Sequence, residues 1–171
     1  MKVLIIGSGG REHALCHALK KSSIIKEIFC IPGNAGTDSI AKNFEVDMKN
    51  FQKIKEFVNQ YKIDLVIIGP EQPLVDGIVD YLNENNIKVF GPNKIASQLE
   101  GSKTFTKELC KKYNIPTAKF GIFEDIKSAN KFLEKCNLPI VIKADGLASG
   151  KGVYICNNKN DAIGAIQEIF N

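Results

Sequence analysis

Val3-Leu4-Ile5-Ile6-Gly7-Ser8-Gly9-Gly10-Arg11-Glu12-His13-Ala14 opens the chain almost from its first residue. Four consecutive apolar residues end at a glycine-rich turn, and a helical run follows. A strand that is apolar throughout is covered on both faces, as in parallel sheets whose strands are joined by helices. The order strand, turn, helix gathers backbone N–H groups, a helix N-terminus and Arg11 around one anion-sized space. Arg11 is the single arginine among 23 basic residues in a chain rich in Lys, Ile and Asn. That composition signals a bias against arginine codons, so the arginine that survives is read as doing what lysine cannot. Its planar fork grips phosphate or carboxylate oxygens in bidentate fashion, whereas lysine offers a point charge.

Outward from this stretch, strand-like runs recur at 28–31, 65–68 and 89–90 and alternate with helical patterns. Residues 51–61 carry apolar side chains at 54, 57, 58 and 61, and residues 74–82 carry them at 75, 78, 79 and 82. Both are the stripe of a helix lying on a sheet. The expected fold is therefore α/β, with an N-terminal Rossmann-like, doubly wound parallel sheet. Two loops leave carboxyl ends of strands: Pro32-Gly33-Asn34-Ala35-Gly36 and Gly69-Pro70-Glu71-Gln72-Pro73-Leu74. Ligands of open α/β sheets bind at those ends, so both loops and the Arg11 turn are expected to share a rim. After Gly91-Pro92 the pattern changes. Ser102 is the predicted cap of a helix opening at Lys103, followed by a strand near 118–123, a helix near 126–135, strands at 140–143 and 153–156, and a last helix from about Asp161. The expected division is one domain over residues 1–100 and a smaller, partial α+β unit over 101–171.

At 171 residues, 44% hydrophobic and 25% charged, the chain has ordinary globular composition. No apolar run approaches bilayer length and no signal-peptide pattern precedes the first strand, so a soluble cytoplasmic protein without membrane association is expected. Five scattered cysteines (Cys16, Cys30, Cys110, Cys136, Cys156) in apolar surroundings suggest reduced core thiols. A net charge of +4, with lysines spread along helix faces and no aromatic interleaving, gives nucleic-acid binding no support.

The second glycine-rich stretch is Ile140-Val141-Ile142-Lys143-Ala144-Asp145-Gly146-Leu147-Ala148-Ser149-Gly150-Lys151-Gly152-Val153. Gly146, Gly150 and Lys151 are one residue too close for the G-x-x-x-x-G-K-[ST] phosphate loop, and a strand follows where that motif needs a helix. The stretch reads instead as a flap joining two antiparallel strands over a nucleotide's phosphates, with Lys143 half-buried beside it. A dinucleotide site is disfavoured, because Glu12 stands where a third glycine belongs and no acidic residue ends the second strand. His13 and His17 lack a third metal ligand at a recognisable spacing; His17 is assigned to the helix surroundings and His13 to the turn.

Taken in order, GSGGREHA, PGNAG, GPEQPLVDGIVD, FGP, LEGSK, IPTA and IVIKADGLASGKGV closely resemble the phosphoribosylamine-glycine ligases, or glycinamide ribonucleotide synthetases, of the ATP-grasp superfamily. The flap and its lysines alone would indicate only the superfamily; the N-terminal loops narrow it. The resemblance implies a carbon-nitrogen ligase of purine biosynthesis that joins glycine to 5-phosphoribosylamine through a glycyl phosphate, giving glycinamide ribonucleotide, ADP and phosphate. It implies that Lys103 and Lys143 act on ATP, together with Gly146, Ser149, Gly150, Lys151 and Gly152 of the flap. Gly9, Gly10, Arg11, Glu12, His13, Asn34, Gly36, Glu71 and Pro73 would hold the sugar substrate. Which loop takes its phosphate and which its amine stays open, although the lone Arg11 favours the phosphate. Family members are much longer. The resemblance therefore implies a pre-ATP-grasp domain plus part of the first ATP-grasp subdomain, as a fragment or a truncated product, with magnesium ligands expected in the missing C-terminal part and none in this chain. A monomer with only small-molecule partners is expected, and negligible turnover from residues 1–171 alone, with ATP bound weakly if at all; the competing reading is a noncatalytic, at most ligand-binding module.

Overall fold

The structure is a computed structural model and describes residues 1–148 and 150–171. It comprises two compact units, Met1–Gln98 and Leu99–Asn171.

The first unit is built on a five-stranded parallel sheet. β1 (Lys2–Gly7) lies between β2 (Glu27–Pro32) and β4 (Leu65–Ile68), while β3 (Lys42–Asn43) and β5 (Val89–Phe90) form the edges, in the order β3-β2-β1-β4-β5. Side chains alternate across a strand. Leu4 and Ile6 therefore enter one core with Phe29, Ile31, Val66 and Ile68, while Val3 and Ile5 enter the other with Ile28, Cys30 and Ile67. This double burial is why the strands are apolar without a polar alternate. α3 (Phe51–Tyr61) and α5 (Ile78–Glu84) cover the first face through Ile54, Phe57, Val58, Ile78, Val79 and Leu82. α1 (Gly10–Leu19) covers the second through Cys16, with Leu15 and Leu19 at its margin. The rings of Phe29, Phe44, Phe57 and Tyr61 close one end of the first core, with centroids 4.4 to 6.1 Å apart. Each such buried side chain contributes roughly 1.5–3 kcal/mol.

The stripe at 74–82 is not one helix. α4 (Glu71–Asp76) stops at Gly77, whose φ of 97° reverses the chain's direction before α5 begins. Only glycine enters that region without strain, so the interruption outweighs the apolar period. Short elements carried no period to read: α2 (Ala35–Asp38) and the two-residue β3 were not expected. α6 (Lys94–Gly101) was also missed, and the division between the units falls inside it.

In the second unit, Ser102 accepts from the Phe105 N–H at 3.0 Å and starts α7 (Lys103–Lys112), as its sequence suggested. Asp125 caps α8 (Ile126–Leu133) and Asn158 caps α9 (Lys159–Phe170). β6 (Ile140–Lys143) and β7 (Val153–Cys156) pair antiparallel, with Val141 opposite Ile155 and Lys143 opposite Val153. Ile140, Ile142, Tyr154 and Cys156 pack on Ala129, Leu133, Ala162, Ala165 and Ile166 of the helices. The opposite face of the hairpin, with Val141, Lys143, Val153 and Ile155, is exposed. Residues 118–123, all described, form no strand. Without a neighbouring strand their backbone groups would have no ladder to join.

All five cysteines are free. Cys16, Cys30 and Cys156 are core thiols, whereas Cys110 and Cys136 are only half-buried, contrary to expectation. The sulfurs of Cys16 and Cys30 lie 3.3 Å apart, and burial pushes both thiols up, Cys30 strongly, away from the reactive thiolate. Among the described residues no helix is long and apolar enough to cross a membrane.

Candidate functional site

The three loops of the first unit are stitched together by side chains that cross between strand ends. Arg11, in the first turn of α1, forks onto Glu71 at the start of α4: Nη1 donates to Oε1 at 2.7 Å and Nη2 to Oε2 at 3.1 Å. The Arg11 hydrogen bond is the main reason that the Glu71 carboxyl sits below the usual range, followed by its own backbone N–H. Asn34 Nδ2 donates to the carbonyls of Ser8 at 2.9 Å and Gly9 at 3.2 Å, while its Oδ1 accepts from the N–H groups of Gly36 and Thr37. Thr37, fully buried, and Asn43 in turn bond to the backbone and side chain around Asn34. Asn34→Ala is expected to cost about 1–2 kcal/mol, since it removes a helix cap and both side-chain hydrogen bonds from Asn34 to the Ser8-Gly9 turn. An unchanged urea midpoint would show that the loops do not depend on it.

Glu12 does not face solvent. Its side chain, 3% exposed, turns back under the turn and accepts the Gly9 N–H at 2.5 Å, while its Oε1 is buried without a hydrogen-bond partner among the described residues. Gly7, Gly9 and Gly69 surround it so closely that a Cβ at Gly69 would lie 2.0 Å from Oε1 and one at Gly7 2.6 Å from Cγ. His13 packs on Gly36, where a Cβ would lie 3.0 Å from Nδ1. Pro73 is buried at the base of α4, and Gly10 has open space around its Cα. His17 is exposed on α1.

In the second unit the glycine-rich loop closes at its neck, where Ala144 N–H donates to the Gly152 carbonyl at 2.8 Å. Gly146, Gly150 and Gly152 all have left-handed φ values, 87°, 81° and 67°, so the loop's course requires glycine at these points. Lys103 Nζ donates to the Gly146 carbonyl at 2.8 Å, which joins α7 to the loop. Lys143 ends β6 on the exposed face of the hairpin rather than in the half-buried place that was expected, because the inner positions of the strand are Ile140 and Ile142. Lys151 is exposed, its N–H bonded to the Ala148 carbonyl. Ser149 lies outside the described residues.

Two contributors escaped the sequence. Asn43 sits on the β3 edge strand with no motif around it. Asp145 precedes Gly146, a pair that favours turns, but nothing local indicates that its carboxylate reaches Ser102, Lys103 and Thr104. Burial would raise the Asp145 carboxyl; backbone and hydroxyl donors outweigh it and hold the group below its ordinary value. Among the described residues there is no group of three or more His, Cys, Asp or Glu able to hold a metal ion.

Known proteins resemble this chain in order along its length. Residues 1–100 match the model of the phosphoribosylglycinamide synthetase N domain, and residues 101–171 match that of the phosphoribosylglycinamide synthetase ATP-grasp (A) domain. A phosphoribosylamine-glycine ligase from Clostridium acetobutylicum is 49% identical over 158 residues, covering 92% of this chain and 38% of that protein. The one from Mesorhizobium japonicum is 48% identical over 170 residues, covering 99% and 40%. The crystal structure of phosphoribosylamine-glycine ligase from Thermotoga maritima superposes with a TM-score of 0.76 at 36% identity, covering 96% of this chain and 38% of that one. At the level of fold alone, N5-carboxyaminoimidazole synthetase from Staphylococcus aureus, solved with ADP, has a TM-score of 0.78 at 18% identity and covers 97% and 44%. The chain thus spans about two fifths of the length of these relatives. With both family domains matched in sequence, and with the parallel sheet and glycine-rich hairpin that go with them, the chain belongs to the phosphoribosylglycinamide synthetase family.

Proposed function

We propose that this chain supplies the sugar-binding part and a nucleotide-binding part of an ATP-dependent ligation of glycine to 5-phosphoribosylamine, yielding glycinamide ribonucleotide, ADP and phosphate. The observation that carries the reading is the pair of family domains matched end to end, each holding its own cluster of polar and charged side chains. In this proposal the first unit takes the sugar and the second takes ATP.

The rim of the first unit is rich in acceptors. Arg11 is already gripped by Glu71, and the Gly9 N–H is already taken by Glu12. A phosphate arriving there would meet two carboxylates. The amine and ribose hydroxyls of 5-phosphoribosylamine are donors, and they fit the Glu71 oxygens and the Ser8-Gly9 backbone better. Arg11 then orients Glu71 for the sugar rather than gripping its phosphate.

On the second unit, Lys103, Lys143 and Lys151 stand at the glycine-rich loop and would offset phosphate charge. The exposed apolar face formed by Val141, Val153 and Ile155 adjoins Lys143 and fits the flat base of a nucleotide. A loop able to cover the phosphates would also exclude water, which matters because an acyl phosphate hydrolyses readily. No step of the proposal runs through magnesium, since the described residues bring together no group of three or more His, Cys, Asp or Glu.

The test is a ligase assay with ATP, glycine and 5-phosphoribosylamine, in a polypeptide that carries these residues together with the remaining length of the relatives. ADP and glycinamide ribonucleotide should appear in equal amounts. Arg11→Lys should raise the KM for the sugar by an amount equivalent to about 1–2 kcal/mol, since lysine keeps the charge but cannot hold Glu71 by a fork. Nucleotide consumption without formation of the amide would sink the reading, and an unchanged KM would remove Arg11 from it.

A further inference from the structure

α7 is an unusual helix in this chain. It has ten residues and none of them is buried. Helices of that length are marginal on their own, and this one sends no fully buried side chain into a core. Its N-terminus is instead held by a carboxylate 41 to 43 residues away in sequence. Asp145 Oδ1 accepts the Lys103 N–H at 2.6 Å and the Thr104 N–H at 3.2 Å, and both carboxylate oxygens accept from the Ser102 hydroxyl, at 3.2 and 3.0 Å. The same Oδ1 takes the Gly146 N–H at 2.9 Å. One residue on, the Gly146 carbonyl accepts from Lys103 Nζ. Lys103 is thus held at both ends, its backbone by Asp145 and its ammonium by Gly146. The left-handed φ of Gly146 lets one peptide neighbourhood serve both contacts.

We propose that Asp145 is a positioning residue: it ties the root of the glycine-rich loop to the N-terminus of α7 and so fixes the Lys103 ammonium at that root, where it receives the phosphates of a nucleoside di- or triphosphate. The proposal rests on the nucleotide reading given above. A helix N-terminus attracts anions, and here that place is filled by the protein's own carboxylate. The external phosphate is therefore left to the lysine ammonium. One of its three donors is spent on Gly146, which aims the group and leaves two for phosphate oxygens. Without Asp145 the side chain of Lys103 would still be charged but would have to be ordered on binding.

The experiment uses the 171-residue chain, labelled with 15N, as the unaltered protein and as Asp145→Ala, Lys103→Met and the double variant. Alanine removes the Oδ1 acceptor that asparagine would keep. Amide exchange at Lys103 and Thr104 should accelerate at least about tenfold in Asp145→Ala, the usual scale for a lost cap. The capped amides of Ser128 and Asp161 should keep their rates and report that the unit remains folded. ADP, titrated by chemical-shift perturbation, should bind about tenfold more weakly to Asp145→Ala and to Lys103→Met. The double variant should bind no more weakly than Lys103→Met alone, because Asp145 acts through that lysine. Unchanged exchange at Lys103 and Thr104, or losses in ADP affinity that add, would overturn the positioning role. A nucleotide response indifferent to Lys103→Met, with exchange still accelerated in Asp145→Ala, would overturn the delivery of Lys103 to phosphate and with it the nucleotide reading, while leaving the tie between α7 and the loop intact.

Discussion

Gly69→Ala is expected to destabilise the first unit by about 2–4 kcal/mol, although φ at Gly69 lies outside the left-handed region that favours glycine. The cost has one source. The added methyl would lie 2.0 Å from Glu12 Oε1, 2.6 Å from Cδ and 2.7 Å from Cγ. The far end of an exposed glutamate would swing away cheaply, but this one is 3% exposed, and its other oxygen holds the Gly9 N–H. To make room, the carboxylate must give up that bond or the turn must move. Glu12→Ala alone should cost about 1–3 kcal/mol, through the orphaned Gly9 N–H and the space left behind. Combined, the two changes should cost less than their sum by at least about 1.5 kcal/mol, because the new methyl enters the space the carboxylate vacated. Urea unfolding of the four proteins gives the coupling directly. Additive losses would mean that Gly69 is small for a reason other than Glu12. Gly7 is a poorer probe, since its φ of 131° penalises any side chain whatever the space.

Lys143→Met should weaken nucleotide binding by about 10- to 100-fold, the scale of one charge-assisted hydrogen bond to phosphate, and leave the stability of the second unit nearly unchanged. The asymmetry follows from its position. Lys143 lies at the exposed end of β6, opposite Val153, and its stem does not enter the core formed by Ile140, Ile142 and the helices. Methionine keeps the length and much of the shape while removing the charge. ADP titration reads the first effect and thermal unfolding the second. Binding of ribose 5-phosphate, a stable stand-in for the sugar substrate, should be unaffected, since its proposed groups are all in the first unit. A variant that bound ADP normally and ribose 5-phosphate poorly would exchange the roles of the two units.

Much of this was legible in the amino-acid order because it depends on local periods. The run at 3–6 and those at 28–31 and 65–68 read as doubly covered strands, and the structure places all three side by side. The Phe51–Tyr61 helix and the 140–143 and 153–156 strands follow the same rule. Where local signals conflict, the backbone geometry decides: Gly77 splits the stripe at 74–82, and residues 118–123 stay out of any sheet for want of a partner. Arg11 was read as a fork for phosphate or carboxylate oxygens; in the structure the fork meets the carboxylate of Glu71, sixty residues further on, a partner that no local pattern indicates.

By itself the sequence determined the class of most of the longer elements, though not of α6, together with the parallel order implied by continuous apolar strands, the cap at Ser102 and the glycine-rich chemistry of the loops. These are properties of neighbouring residues, so a short window contains the physics that sets them. The tertiary structure alone decided that Glu12 lies under Gly69, that Asn34 joins its loop to Ser8 and Gly9, and that Asp145 holds the start of α7. Such pairings depend on strand register and helix placement, which the packing of the whole unit sets. A shift of one residue in either would carry the partners out of hydrogen-bond reach while leaving every local pattern in the sequence as it is.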